Sequence, residues 1–521
     1  MKKKVNKLLD KHYMMIIGIF LVALGLLLPL FINKYHIGND TMYHLATISS
    51  IKDLIKTNFM SGITGKILSN VGNGFGYGSR LFYPPIFHTC TAYLSYFLDN
   101  FGIGLTTSVK IFYLFTFFLS GVSMYICSYR FTKKKSLAFI ASVIYLASSY
   151  HLNEIYVRDA QAESILFIFL PLVILSIKEL LEGNKKWFYP CFIIGYVGGI
   201  LSHFTMMIYV TLFLGITMLC LYKKVFKKEF LVPFIKGCIL VLLLSLFFFE
   251  PLFEHKLLGN YMVYKKWVMS WGVWHTTLWG IEYLIPIDCS GIYFYFSIVV
   301  IILMIYLLIK KRGAFKEDKY KLIGIFTLIS FIMSTRYSPW KIMPYSLFMI
   351  QFGWRLVALV ILGFSIMAPI SLEKSSRALK VLCIVGIILP GVLSIHFAND
   401  SVFKEIDYSY GLGWQNEYMP VNLIDHKDYY DNRSKNVINM DTKEEVSVIE
   451  EEFPSIKFAI NEDGVYELPR IFYYGYSLVD ENQQNIALHE SENGFLEANL
   501  SSGSYTLEFK GSTMYRVCSS I

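Results

Sequence analysis

Apolar runs of about 20 residues recur along this chain, and they constrain its fold more than any other feature. An α-helix of this length crosses the hydrocarbon core of a bilayer, where every backbone polar group must find a partner within its own segment. Of the 521 residues, 55% are hydrophobic and only 17% are charged. This composition excludes a soluble globular protein and predicts a polytopic α-helical membrane protein.

Clusters of lysine and arginine between the apolar runs predict which loops face the cytoplasm. The N-terminal segment is basic, and no small-residue cleavage site follows its apolar run, so we expect a retained anchor with a cytoplasmic N-terminus. Placing all basic clusters inside gives about 11 spans and an extracellular tail. The predicted spans are 14–32, 105–129, 136–152, 162–182, 187–202, 204–222, 231–250, 290–309, 320–335, 344–372 and 379–397.

The first outer loop, residues 33–104, is predicted to contain helices at the membrane surface. Apolar residues recur every three or four positions from Met42 to Phe59. This spacing predicts an amphipathic helix lying in the interface plane. A second apolar run at 86–98 has about 13 residues, which is short for a span, so we expect an interfacial or re-entrant helix.

The chain changes character at Asn399. From there onward it has 22 acidic and 9 basic residues, whereas the part before has 17 acidic and 39 basic residues. Short β-rich segments separated by Gly and Asn turns predict an extracytoplasmic β-sandwich. We therefore expect a transmembrane domain over 1–398 and a β-rich domain over 399–521.

Ionisable residues near membrane helices are costly and usually functional, and here they gather at the predicted outer ends of the spans. A transporter more often places such charges near the midplane, so this distribution indicates a polar cavity that opens outward. The candidate catalytic residue is Asp40. The candidates for substrate and phosphate binding are His44, Arg80, Tyr83, Arg158, Asp159, Glu163, His203, Gln351 and Arg355.

Several of these residues also have a structural interpretation. Arg158 could pair with a neighbouring acid at a helix end, or its segment could bind phosphate or a metal ion. Arg355 could clamp a phosphate with its guanidinium fork or extend its side chain to the interface. His203 could be a ligand or a hydrogen-bonded turn residue. If a metal is bound, its candidate ligands are Asp40, Glu154 and Asp159, and Mg²⁺ or Mn²⁺ is the candidate cofactor.

Two segments of the first loop carry similar alternatives. Asp40 is either a general base or the N-cap of the helix that follows it. The stretch "NVGNGFGYGSRLFYPP" alternates glycine with aromatic residues at 74–78. Its aromatic side chains could pack on sugar faces or prenyl chains, or they could belong to an ordinary interfacial belt.

The motif Gly38-x-Asp40-x-x-x-His44 resembles the GT-C class of membrane glycosyltransferases. More closely, an ordered set of segments resembles the YfhO-type and 6-pyruvoyl-tetrahydropterin synthase-related bacterial membrane proteins. The segments are "GNDTMYHLATISSIKD", "GNGFGYGSRLFYPP", "YVRDAQAESILFIFLPLVIL", "LSHFTMM", "IQFGWRL", "EYMP" and "LPRIFYYGYSL…ENGFLEANL". The resemblance implies a GT-C-like fold, a polyprenyl-phosphate-linked sugar donor and an essential acid in the first outer loop.

Together, the residues and the resemblance lead us to expect a glycosyltransferase at the outer face of a bacterial plasma membrane. Asp40 would activate the acceptor hydroxyl, and Arg355 and Arg158 would hold the leaving phosphate. The partners expected are an envelope glycan, lipid or polymer acceptor and the bilayer, with no nucleic acid. Two alternatives stay open, a lipid-linked-sugar transporter or flippase and a non-catalytic scaffold for envelope assembly.

Overall fold

The computed structural model describes residues 11–32, 35, 38–69, 71–265, 317–335, 337–372 and 416–511, with isolated positions in 302–309 and 381–395. The chain divides into two compact units. The helical unit takes its residues from Met1–Thr41, Thr106–Leu244 and Met269–Ile406. The β-rich unit takes its residues from Met42–Leu105, Ser245–Val268 and Asp407–Ile521. The domain boundary predicted at 398/399 lies outside the described residues.

The described helices follow the hydropathy pattern closely. In chain order they are α1 His12–Ile32, α2 Thr41–Thr57, α3 Ser61–Thr64, α4 Ile86–Asp99, α5 Leu105–Thr132, α6 Lys135–Leu146, α7 Ser149–Tyr156, α8 Gln161–Leu181, α9 Lys185–Leu219, α10 Tyr222–Val225, α11 Lys228–Leu258, α12 Asp318–Ser334, α13 Val357–Leu372, α14 Val421–Asp425 and α15 Lys427–Asn432. Short 3₁₀ helices cover Ser79–Leu81, Met262–Tyr264, Pro339–Ile342, Tyr345–Ile350 and Gly353–Leu356.

Within the described part of the chain, six helical segments are long and apolar enough to cross a membrane: α1, α5, α8, α9, α11 and Gly353–Ser371. Large apolar side chains point outward from several of these helices, among them α1 and α11. Leu21 of α1 is 59% exposed and Leu242 of α11 is 55% exposed. Apolar surface of this kind is stable against lipid but not against water. The chain is therefore a polytopic helical membrane protein, as predicted.

Helix α9 is broken at His203, where two spans were predicted to meet. His203 has φ −150° and ψ 83°, which no α-helix contains. The two arms lie side by side, because a Cβ on Gly199 would be 2.5 Å from the Sδ atom of Met207. The side chains of Tyr196 and Thr211, fifteen positions apart, lie close enough to interact. In a straight helix such residues would be about 22 Å apart.

Two predicted spans have different limits in the structure. The span 136–152 is not one helix, because α6 ends at Leu146 and the short helix α7 begins at Ser149 after an extended Ser148. The span 344–372 begins too early, because 3₁₀ turns occupy 345–350 and the continuous apolar helix starts at Gly353. The spans 290–309 and 379–397 lie largely outside the described residues.

In the β-rich unit, the predicted amphipathic helix forms as α2, but protein covers most of it. His44, Thr47 and Ser50 are each no more than 1% exposed. These polar residues, which alternate with the apolar positions, are therefore buried within protein. His44 packs against α4, where its Nδ1 atom lies 2.7 Å from Nε2 of His88. Burial depends on the packing of α4, which the periodicity of α2 does not encode.

The tail forms the predicted β-sandwich. Its strands are β1 Val437–Asn439, β2 Glu445–Val446, β3 Glu450–Glu452, β4 Ser455–Ile460, β5 Gly464–Ile471, β6 Tyr476–Asp480, β7 Asn485–Ile486, β8 His489–Glu490, β9 Phe495–Leu500 and β10 Gly503–Phe509. Two antiparallel sheets have the strand orders β2-β1-β5-β9-β8 and β3-β4-β10-β6-β7. One hydrophobic core draws on both sheets, with Leu468 and Leu496 facing Phe458 and Leu507.

The glycine-aromatic loop packs on this sandwich. Phe75 and Tyr77 are only 2% and 1% exposed, and the Phe75 ring lies 5.2 Å from that of Phe495. The Ile471 N–H group donates to the Phe75 carbonyl at 3.1 Å. These two aromatic residues are therefore core residues of the β-rich unit, and they form neither a sugar platform nor an interfacial belt.

Candidate active site

Asp40 lies in a turn of the helical unit, immediately before α2. Its backbone N–H group donates to the Arg158 carbonyl at 3.0 Å, and its Oδ2 atom lies 3.8 Å from Nη2 of Arg158. The Asp40 side chain is 42% exposed. Within the described part of the chain, its carboxylate accepts no hydrogen bond from the first turn of α2. The side chain is accessible and does not act as the N-cap that Asp often provides.

Arg158 and Asp159 follow the end of α7. The Arg158 N–H group bonds to the Asn153 carbonyl at 2.9 Å, and the Ala160 N–H group bonds to the Glu154 carbonyl at 2.7 Å. Asp159 itself has φ +53°. A left-handed residue of this kind ends a helix, and Asp adopts the conformation more readily than most residues do. This ending turns the two side chains toward the Asp40 turn.

Three hydroxyl groups converge on the Asp159 carboxylate. Tyr113 donates to Oδ1 at 2.5 Å, whereas Thr41 and Tyr35 donate to Oδ2 at 2.7 and 3.0 Å. Burial raises the pKa of Asp159 to about 7, and these hydrogen bonds oppose that rise. Because the hydroxyl groups occupy both oxygens, Asp159 is poorly placed to bind substrate or a metal ion directly.

Glu163, in the first turn of α8, connects both arginines. Its Oε1 atom accepts from Nε of Arg355 at 2.7 Å, and its Oε2 atom lies 3.1 Å from Nη1 of Arg158. The Tyr150 hydroxyl also donates to Oε2, at 2.7 Å, and Nε2 of His203 lies 3.5 Å from Oε1. Its side chain is only 6% exposed, so Glu163 orients the guanidinium groups and does not itself face solvent.

Arg355 lies just before α13, where a strained turn precedes it. Gln351 has φ +62° and ψ −47°, and the Phe352 N–H group bonds back to the Ile350 carbonyl at 2.6 Å. This geometry is the γ-turn that is rare and strained for a non-glycine residue. It places the Gln351 Oε1 atom 2.9 Å from Nη1 of Arg355, which also donates to the Ile350 carbonyl at 2.8 Å.

Trp354 lies beside both arginines. The guanidinium carbon of Arg158 lies 4.3 Å from the centre of an indole ring, and that of Arg355 lies 5.9 Å away. Glu154 fixes Arg158 further through a 2.6 Å hydrogen bond to Nη1. Neither arginine donates a hydrogen bond from Nη2 to a described residue. Both are held by protein and retain donors for an anion.

Asp40, Glu154, Arg158, Glu163 and Arg355 together form an acid–arginine cluster. Although the Asp40 side chain is 42% exposed, the surrounding protein partly desolvates its carboxylate and raises its pKa above the ordinary value, while the positive charges of Arg158 and Arg355 oppose the rise. A carboxylate with a raised pKa is a stronger base than one with the ordinary pKa. The cluster therefore combines an accessible base with two guanidinium groups that can neutralise an anion.

His44, Arg80 and Tyr83 belong to the β-rich unit, and their observed contacts are internal to it. Arg80 Nη2 donates to the Gly62 carbonyl at 2.9 Å and to the Thr89 hydroxyl at 3.1 Å, while its Nη1 donates to Gly65. The Tyr83 ring lies 5.3 Å from that of His88. Arg80 thus braces the backbone of its own loop, so the structure gives its guanidinium a structural role.

The candidate metal ligands do not form a cation site. Asp159 is occupied by hydroxyl groups, and Glu154 is bonded to Arg158. In the described ranges, no group of three or more His, Cys, Asp or Glu side chains is arranged to hold a metal ion.

Sequence reasoning missed four aromatic residues that build the site. Tyr35 and Tyr113 bind Asp159, Tyr150 binds Glu163, and Trp354 stacks on Arg158. Such residues are common in membrane helices, where they mark the interface, so composition gave no reason to select these four. Trp354 alone had a local signal, because it precedes Arg355 in the chain.

This architecture, a bundle of membrane helices with a polar cluster at helix ends and a β-sandwich tail, defines a class of polytopic membrane protein. The chain belongs to the 6-pyruvoyl-tetrahydropterin synthase-related family of membrane proteins, whose model matches residues 81–398. The resemblance to this family is confirmed. A search of curated protein sequences finds no significant match.

Among solved structures, the chain is similar to that of ArnT from Cupriavidus metallidurans in the apo state. The TM-score is 0.45 and the sequence identity is 13%. The alignment covers 71% of this chain and 62% of the ArnT chain, so it spans less than two thirds of that protein.

Proposed function

We propose that this protein is a membrane glycosyltransferase of the GT-C type that takes its sugar from a polyprenyl-phosphate carrier. The observation that carries the proposal is the pairing of an accessible carboxylate, Asp40, with the guanidinium of Arg158 at 3.8 Å. A transfer from a phosphate carrier needs a base for the acceptor and positive charge for the leaving group. The acid–arginine cluster supplies both.

In the proposed reaction, Asp40 accepts the proton of an acceptor hydroxyl as its oxygen attacks the anomeric carbon. The bond between that carbon and the phosphate oxygen breaks, and the electron pair leaves with polyprenyl phosphate. Arg158 and Arg355 stabilise the negative charge that grows on the phosphate. A single displacement of this kind inverts the anomeric configuration.

The carboxylates around the arginines hold the guanidinium groups in place before substrate binds. Glu163 holds one nitrogen of each guanidinium, and Glu154 holds Arg158 a second time. The two arginine side chains therefore need little reordering when a phosphate binds. Less binding energy is lost on ordering them, and more is available to stabilise the leaving group.

Two observations weigh against the alternatives. Glu163 and Arg355 lie at the first turns of their membrane helices, whereas a transporter usually places its charges near the midplane. The Asp40 side chain is 42% exposed, whereas a scaffold has no need of an accessible acid beside two arginines. We propose further that the reaction takes place at the outer face of a bacterial plasma membrane. Its acceptor would be an envelope glycan, lipid or polymer.

The test is a transfer assay with purified protein in lipid nanodiscs. Polyprenyl phosphates carrying different radiolabelled sugars are supplied with an envelope extract as acceptor. We expect label to move to the acceptor, with polyprenyl phosphate released in equal amount. Movement of intact lipid-linked sugar across a vesicle bilayer without transfer would instead support a flippase and refute the proposal.

A further inference from the structure

We propose that Asp159 is a positioning residue, which fixes the turn carrying Asp40 through the hydroxyl groups of Tyr35, Thr41 and Tyr113. Its effect on sugar transfer rests on the proposed function, whereas its effect on the turn does not. The sequence predicted that Asp159 binds substrate or a metal ion, or supports the site together with Glu163, and it did not connect Asp159 with the Asp40 turn. In this role, Asp159 sets the position of the Asp40 carboxylate without contacting the substrate itself.

The hydroxyl groups come from three separate segments. Thr41 ends the turn, Tyr35 precedes it in the chain, Tyr113 comes from α5, and Asp159 follows α7. One side chain thus binds residues before and after Asp40. Hydrogen bonds to an ionised acceptor are roughly twice as strong as neutral ones, so one carboxylate can anchor several segments.

Thr41 connects the carboxylate to the backbone of the turn. Its Oγ1 atom donates to Asp159 Oδ2 at 2.7 Å and accepts from the Gly38 N–H group at 2.8 Å. The Asp40 N–H group then donates to the Arg158 carbonyl at 3.0 Å. Hydrogen bonds therefore hold the backbone on both sides of Asn39, at Gly38 through Thr41 and Asp159 and at Asp40 through the Arg158 carbonyl.

Gly38 allows the turn to approach this closely. A Cβ atom there would lie 2.6 Å from the carbonyl carbon of Arg158 and 2.7 Å from the Asp159 nitrogen. Those neighbours are backbone atoms, which cannot move aside as a flexible side chain can. The turn therefore rests directly on the Arg158–Asp159 peptide, and the Asp159 hydrogen bonds hold it in that position.

Asp159 has no role that competes with this one. Among described residues, no Lys, Arg or His side chain forms an ion pair with it. The hydrogen bonds to the Asp159 carboxylate come from hydroxyl groups, and the Gln161 amide also interacts with it, whereas Glu163 and Glu154 each bind a guanidinium. The carboxylates therefore have two different roles. Glu163 and Glu154 orient the arginines, whereas Asp159 orients the turn that carries Asp40.

The first experiment measures the turn itself. Hydrogen exchange of peptides covering residues 35–45 is compared among full-length wild type, Thr41→Val and Thr41→Ser in nanodiscs. Valine keeps the shape but removes the hydroxyl, so we expect about tenfold faster exchange at the Asp40 amide, and serine should restore slow exchange. Tyr113→Phe should act in the same direction. Tyr145→Phe, which removes a buried hydroxyl bonded to the Phe167 carbonyl, is the matched control and should have no effect there.

The second experiment measures transfer with the same proteins. We expect Thr41→Val and Asp159→Asn to lower kcat about tenfold or more while leaving the Kd for undecaprenyl phosphate within about twofold, because the arginines stay in place. Unchanged exchange in Thr41→Val, or a loss of undecaprenyl phosphate binding that matches the loss of kcat, would overturn the positioning role. A wild type that transfers no sugar would refute the proposed function only, since the exchange result stands without it.

Discussion

Arg158 contacts Asp40 twice, through its carbonyl, which accepts the Asp40 N–H group at 3.0 Å, and through Nη2, which lies 3.8 Å from Oδ2. One residue therefore fixes the backbone of the base and sets the charge beside it. The gap of 3.8 Å is longer than a hydrogen bond, so the carboxylate is close to the guanidinium without being held by it. A base must be free in this way to take a proton from an acceptor.

Replacing Asp40 with Asn separates the catalytic role from a capping role. Asn caps a helix about as well as Asp, but its amide does not accept a proton at neutral pH. We expect transfer to fall on the order of 10²–10⁴-fold, with expression and melting temperature unchanged. The control is Asp53→Asn, an acid on α2 whose ion pair with Lys56 is exposed, which should keep full activity. Transfer by Asp40→Asn at the wild-type rate would show that the mechanism is wrong.

Replacing Arg355 with Lys should weaken phosphate binding, and replacing it with Ala should weaken binding further. Its three nitrogen contacts to Glu163, Ile350 and Gln351 depend on the guanidinium fork, which lysine lacks. We expect the Kd for undecaprenyl phosphate to rise in Arg355→Lys and to rise further in Arg355→Ala, where the charge is also lost. Wild-type binding by both variants would mean that Arg355 only extends its charge to the interface.

The acidic limb of the pH–kcat profile should report Asp40. Burial raises the pKa of Asp40, the charge of Arg158 lowers it and the charge of Glu163 raises it. Activity should therefore increase with pH through a midpoint above the ordinary Asp value. Arg158→Gln removes a positive neighbour, which favours the protonated acid, so its limb should move to higher pH.

Glu163→Gln is the matched comparison for this profile. It removes a negative neighbour, so the pKa of Asp40 should fall and the limb should move to lower pH. Shifts of the same sign in both variants would show that the limb belongs to another group.

The tail should fold when expressed alone as residues 405–521. Its core residues, from Val437 to Leu507, all come from the sandwich itself. We expect a soluble product with a β-type far-UV CD spectrum and one cooperative thermal transition. A disordered spectrum would mean that the sandwich depends on the first loop.

A buried ion pair within this tail allows the stability of the sandwich to be tested by mutation. Arg433 and Glu467 are both fully buried, with Nε and Oε1 2.9 Å apart. Glu467→Gln leaves the Arg433 charge unpaired, so we expect a loss of about 3–5 kcal/mol in the free energy of unfolding. Glu450→Gln breaks an exposed pair with Lys457 and should leave the free energy of unfolding nearly unchanged, because solvent screens that pair.

The orientation predicted from the basic loops can be tested by cysteine labelling of intact cells. Single cysteines at Lys133 and Lys311 should be protected from an impermeant reagent, whereas one at Asp480 should react. Labelling at either lysine position, or none at Asp480, would reverse the orientation proposed for the active site.

The sequence by itself determined that this chain is a helical membrane protein with a β-sandwich tail. Lipid offers backbone groups no partners, so a run of sufficient length and hydropathy can only become a helix, as α1, α5 and α8 show. The alternation of residues in β4 and the polar His203 between two apolar arms are also local signals, which can be read from neighbouring positions in the sequence. The end of α6 was harder to predict, because the helix stops at Leu146 without a proline or glycine to signal it.

Only the tertiary structure decided what each polar residue does. Asp159 meets Tyr35 across 124 positions and Tyr113 across 46, and Glu163 meets Arg355 across 192. Periodicity and spacing describe neighbours along one helix or strand, whereas these hydrogen bonds depend on how separate helices pack. For that reason the sequence could select Asp40, Arg158, Asp159, Glu163 and Arg355 as candidates. It could not reveal that hydroxyl groups saturate Asp159 while Asp40 stays accessible beside Arg158.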